Sequence, residues 1–147
     1  MPKPVKWNPS QVAAPLGKYS HLTSVPEGSQ LVFIAGQVGN DSQGDVDGSG
    51  SHAQTVLALQ NIEALLNSLG AGPEHLVRLL TFVSGKENLP GFFIGRDEVF
   101  SRWFPEGDYP GHSLAVVEAL VNPNLLVEVE GWAAIPAREV EARKPRT

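Results

Sequence analysis

A chain of 147 residues with 41% hydrophobic and 18% charged residues suits one domain with one core and is too apolar to remain disordered. It has no cysteine, which excludes a disulfide framework, a thiolate nucleophile and a cysteine zinc site. Its formal net charge of −5 repels a polyanion at long range, so nonspecific nucleic-acid binding is disfavoured.

Residues 1–15 are rich in proline and polar groups and are expected to be irregular. Met1 to Trp7 lacks the apolar run of a secretory leader, and no stretch reaches membrane-spanning length. We therefore expect a cytoplasmic protein with no membrane partner. Lys18 to Val25 is predicted as a first strand, Pro26 to Ser29 as a turn and Leu31 to Val38 as a buried strand, together a hairpin.

Residues 39–51 are dense in glycine and aspartate and read as a loop. An EF-hand counted from Asp45 would need a carboxylate where Val56 stands, so a solvated loop is expected there, not a calcium site. The acidic loop also has the wrong charge to cradle phosphate. Val56, Leu59, Ile62, Leu65, Leu66 and Leu69 then recur at three- and four-residue spacing, the apolar face of a helix that Gly70 ends.

A strand is predicted over Leu76 to Val83. A second helix follows over about Gly91 to Trp103, with Phe92, Val99, Phe100 and Trp103 buried. Two closing strands cover His112 to Leu120 and Leu125 to Ile135, joined by the Asn122-Pro123-Asn124 turn. Arg138 to Arg146 carries both signs of charge and is expected to be a solvated tail.

The order β-β-α-β-α-β-β predicts one α+β domain over residues 1–147, its core over about 13–135 and both helices on one face of a mixed sheet. On the last strand Val127 and Val129 point one way, and Glu128, Glu130 and Trp132 the other. Carboxylates beside a tryptophan on a sheet face suggest a subunit contact or a cleft wall. His112 and Glu128, on two strands expected to be neighbours, are the candidate centre of the site. His21, His52 and His75 show no metal-ligand spacing, and neither a metal nor a cofactor is expected.

Four segments carry a resemblance. They are Gly17-Lys18-Tyr19-Ser20, the apolar strand ending in Ala35-Gly36-Gln37, Pro110-Gly111-His112-Ser113 and Glu128-Val129-Glu130. In order and spacing they resemble the Rid family of reactive intermediate deaminases (YjgF-like proteins), whose members show G-x-Y-S, S-G-Q, P-x-R-[ST] and E-x-E. The likeness spans about residues 13–135. It implies a chorismate-mutase-like fold, a homotrimer with ligand clefts between subunits, and cofactor-free hydrolysis of enamines and imines to 2-keto acids and ammonia. Carried over by position, Tyr19 and Glu128 match the family tyrosine and glutamate, with Glu128 helping to position or activate water. Gly36 and Ser113 match the family glycine and small hydroxyl residue.

Two positions depart from the pattern. Ala35 replaces a serine, and His112 stands where the family arginine would hold the substrate carboxylate. Imidazole lacks the planar, permanently charged fork of a guanidinium and is mostly neutral at neutral pH. The loss could remove about 1.5–3 kcal/mol of binding, so an altered substrate is one expectation. Alternatively, a nearby Glu128 would favour the imidazolium, and the pair would bind a carboxylate or act as acid and base. His112 could also be a simple backbone-bonded strand residue, and Tyr19 a packing residue. Ser113 should face away from His112, which argues against a nucleophile pair. Two further functions stay open: a non-catalytic trimeric binder of small carboxylic metabolites, and an endoribonuclease of the family type.

Overall fold

Parallel strands in one sheet need a crossover, and a right-handed crossover fixes which face its helix covers. The structure, a computed structural model, describes residues 1–147. Strands β1 (Val5–Trp7) and β2 (Leu22–Ser24) form a small antiparallel ribbon. The main sheet holds β3 (Ser29–Val38), β4 (Leu76–Ser84), β5 (Gly111–Val117) and β6 (Val127–Pro136) in the order β3-β6-β4-β5. Helix α1 (Ser51–Ser68) connects β3 to β4, α2 (Leu89–Trp103) connects β4 to β5, and α3 (Ala137–Arg143) closes the chain.

β4 and β5 run parallel, whereas β6 is antiparallel to both β3 and β4. Both crossovers step the same way along the sheet. Right-handed connections in one direction put their helices on the same face, which gives the expected α+β class.

Four expectations need correction. The strand before Pro26 pairs with β1 and not with β3, so there is no β2–β3 hairpin. The supposedly irregular N-terminus supplies that partner. β6 inserts between β3 and β4, so β5 and β6 are not neighbours. The charged tail forms α3, which buries Val140 in the core while its charged side chains face outward.

The predicted α1 face meets the core at five of its six positions, with Val56 and Leu69 partly buried against it. Leu59, Ile62 and Leu66 are fully buried and Leu65 stays 41% exposed, while the polar Gln54 and Thr55, nearer the start of the helix, are buried as well. Thr55 lies where α2 crosses α1 closely, at Gly95. A Cβ at Gly95 would stand 2.8 Å from the His52 carbonyl oxygen and 2.9 Å from Thr55 Cβ. On α2 the predicted Phe92, Val99, Phe100 and Trp103 are all buried. Under the helices lie Ile34, Leu79, Val83, Val127, Val129, Ala133 and Ile135. Each large apolar side chain fully buried there contributes about 1.5–3 kcal/mol.

Gln54 ties three segments together. Its amide donates to the carbonyls of Asp47 and Asn124 at 2.9 and 2.8 Å and accepts from Leu126 N–H at 2.8 Å. The acidic loop and the β5–β6 connection are thereby pinned to α1. Gln54→Leu keeps the volume but strands all three backbone groups, and should lower the unfolding free energy by about 2–3 kcal/mol. Urea titration checks this, and a loss below experimental error would show that the amide carries no structural burden.

The other sheet face has no helix on it. Leu31, Phe33 and Trp132 remain exposed there, with the Phe33 and Trp132 rings 4.9 Å apart.

Candidate functional site

The N-terminal segment is fastened to the entry of β5 by backbone and short side-chain bonds. Ser20 N–H donates to the Pro110 carbonyl at 3.1 Å, and Ser20 Oγ donates to the Tyr109 carbonyl at 2.6 Å. Lys6 Nζ donates to the Asp108 carbonyl at 2.9 Å. These bonds bring Tyr19 to the same cavity as His112. The two residues line a cavity of about 310 Å³, walled by Leu16, Phe92, Phe93 and Leu114 and edged by Lys18 and Arg96. The Tyr19 hydroxyl accepts a hydrogen bond from Leu16 N–H at 3.2 Å, which leaves its own proton free to be donated.

His112 is opposite Leu79 on β4 and so faces the helices. Its Nε2 shares a hydrogen bond of 2.8 Å with Oγ1 of the fully buried Thr81. The Phe92 ring meets it edge-on at 6.3 Å, and the Phe100 ring lies tilted at 6.2 Å. Burial, reinforced by the positive charges of Arg96 and Arg78, pushes the imidazole pKa down to about 4. The ring is therefore neutral at neutral pH, and the imidazolium alternative has no support within the chain.

A pH prediction follows from that depression. An unfolded histidine titrates at about 6.5. Between pH 6.5 and 4 the unfolded chain binds the extra proton and the folded chain does not. This contribution to stability is complete above pH 6.5 and is lost as pH falls toward 4. Allowing for solvent contact at the half-buried ring, the loss should be about 1–2 kcal/mol. Denaturant midpoints for the wild type and His112→Gln would test it. Parallel pH curves for the two proteins would refute it.

Glu128 lies elsewhere. It pairs with Phe82 on β4 and Val38 on β3, which puts it on the helix-free face. β4 separates its strand from that of His112, and two strand spacings amount to about 9–10 Å. Opposite faces and an intervening strand keep the two side chains of one chain from acting as a pair. Gly36 accompanies Glu128: a Cβ there would lie 2.2 Å from Glu128 Oε1. The register shift between Ile34 and Gln37 marks a bulge at Ala35 and Gly36, and Gln37 Nε2 donates to the Ala35 carbonyl at 3.0 Å. Ser113, opposite Leu80, faces away from His112 and borders a second cleft with Thr23 and Arg78.

Apart from Ser113, the candidate residues thus divide into two groups. Tyr19 and His112 form a cavity beside edge strand β5. Glu128, Gly36 and Ala35 cluster toward the opposite edge. No three histidine, aspartate or glutamate side chains gather at metal-binding distance.

Sequence reasoning missed Phe93, Arg96, Lys18 and Thr81. Arg96 follows Phe92 and Phe93 at four- and three-residue spacing, so one turn of α2 stacks all three. That spacing was the available signal. Thr81 had none, since its partner is 31 residues away.

The profile of the Endoribonuclease L-PSP family matches residues 10–135. Among solved structures, the Rid-family protein YyfB of unknown function from Yersinia pestis is 29% identical. It covers 90% of this chain and 99% of its own, with a TM-score of 0.76. A member of the YjgF/YER057c/UK114 family from Mycobacterium tuberculosis is 31% identical over 80% of this chain and 86% of its own, with a TM-score of 0.57. RidA from the Antarctic bacterium Psychrobacter is 26% identical over 83% and 92%, with a TM-score of 0.61. No protein of curated function matches.

Proposed function

Because the chain belongs to the Endoribonuclease L-PSP family, that of the Rid and YjgF proteins, we propose that it is a small-molecule hydrolase of the imine-deaminase type. In this reaction water adds to the carbon of a 2-imino acid. The tetrahedral adduct then expels ammonia and leaves a 2-keto acid. The observation that carries the reading is the Tyr19–His112 cavity, which offers about 310 Å³, a largely apolar wall and a cationic edge. That suits a small carboxylate with an apolar side chain.

The reading includes a cytoplasmic homotrimer. Support comes from the division of the candidate residues, because a single chain keeps Glu128 on the face opposite His112. A neighbouring copy docked through the uncovered sheet face would bring its own Glu128 toward this cavity. The exposed Phe33 and Trp132 supply apolar surface for such a contact.

The test is hydrolysis of imines generated in situ, from serine or threonine and from leucine or phenylalanine. The protein should accelerate ammonia release, most for the apolar side chains. No acceleration across the panel would overturn the reading. A second reading, a non-catalytic binder of small carboxylic metabolites, draws on the neutral His112 at the arginine position. Saturable 2-keto acid binding without turnover would select it. Ribonuclease activity, the family's other label, is opposed by the −5 net charge.

A further inference from the structure

We propose that Arg96 on α2, rather than any residue of β5, takes the ligand carboxylate in the Tyr19 cavity. This inference rests on the small-carboxylate reading above and adds the residue that would hold the acid group.

Arg96 edges the cavity, and its side chain is only 14% exposed. The guanidinium stands 4.9 Å from the Phe93 ring centre and 5.9 Å from that of Phe92. Stacking on aromatic faces holds its plane while leaving its edge available. Nε and Nη2 both donate to Asp97 Oδ1, at 3.1 and 3.0 Å. Of the five N–H groups of a guanidinium, these bonds use two, and the two on Nη1 have no partner within the chain.

Lys18 Nζ lies 3.1 Å from the same Asp97 oxygen. Two cations share one carboxylate, so this edge carries one positive charge in excess, and no carboxylate lines the cavity. Asp97 thus fixes two cations beside the cavity without neutralising them. The family resemblance would place a fixed cation at position 112, where this chain has a histidine. Arg96 restores a fork of donors from the α2 wall of the cavity. The acid group would then enter along α2, with the apolar side chain lying toward Leu16 and Leu114.

The experiment is calorimetric titration with 4-methyl-2-oxopentanoate and with its methyl ester, which keeps the apolar part and removes the charge. The wild type should bind the acid and discriminate against the ester. Arg96→Gln should weaken the acid by about 10–100-fold and leave the ester unchanged, a split that a merely structural role would not produce. Equal acid affinity in wild type and variant would overturn the assignment, as would a wild type that binds no acid. Should Arg96→Gln fail to fold, Arg96→Lys carries the test: it should weaken the acid severalfold with the ester unmoved, and unchanged acid affinity counts against Arg96. Acid binding without imine hydrolysis would sink the deaminase reading and leave the anchor. Imine hydrolysis with acid affinity indifferent to Arg96 would do the reverse.

Discussion

Replacing Phe100 by alanine should lower the free energy of unfolding by about 3–5 kcal/mol, visible as a fall in the denaturant midpoint. Phe100 is 1% exposed and sits at the hub of an aromatic cluster. Its ring stacks on Trp103 at 6.1 Å and on Tyr109 at 5.8 Å, and Phe104 meets it edge-on at 5.1 Å. The same ring covers His112 at 6.2 Å. Truncation removes transfer energy and leaves a cavity that rigid neighbours on α2 cannot fill.

A second consequence separates packing from generic damage. Since burial is the main cause of the low His112 pKa, opening that space should move the pKa upward, toward its ordinary value. An NMR titration of the folded variant reads this. A loss of stability below about 1 kcal/mol, or an unmoved His112 titration, would show that Phe100 does not seal the site.

Under the deaminase reading, Glu128→Gln should reduce kcat by about 10²–10⁴-fold, the usual worth of a positioned acid or base. Stability should change by no more than about 0.5 kcal/mol, because Glu128 makes no salt bridge within the chain and lies on the uncovered face. Gly36→Ala gives an independent arm. Its methyl group would displace the Glu128 carboxylate, whose Oε1 stands 2.2 Å from the new Cβ position. That side chain is flexible, so the fold should tolerate the change while the carboxylate is re-aimed. Both variants should lose kcat with thermal midpoints near wild type. Full activity in both would remove Glu128 from the reaction. Mixing Glu128→Gln with His112→Ala chains should restore part of the activity if the site is shared between copies, and no restoration would count against shared clefts.

Local periodicity was a good guide where one face of an element meets the core. Val99, Phe100 and Trp103 were legible on α2 because their spacing matches the helical repeat. It failed at Leu65, which shares the predicted stripe of α1 yet stays 41% exposed, because spacing along one helix does not say how far its packing partners extend beside it. His112 was legible as a position and as a mostly neutral group, but the depth of its pKa depression was not. The pKa depends on burial and on Arg96 and Arg78, which come from two other elements.

The amino-acid sequence by itself determined the α+β class, the main helices and strands, and the motif positions that carry the family. These follow from short-range signals: apolar spacing, turn residues and the chemistry of single side chains. Only the tertiary structure decided that β6 lies between β3 and β4, that the N-terminal segment docks at the entry of β5, and that Tyr19 shares a cavity with His112 while Glu128 does not. Side-chain direction alternates along one strand and can be counted there, but relating it to another strand needs their register. Register is set by long-range pairing, which no window of sequence contains. For that reason two residues expected on neighbouring strands are separated by a third and lie on opposite sides of one sheet.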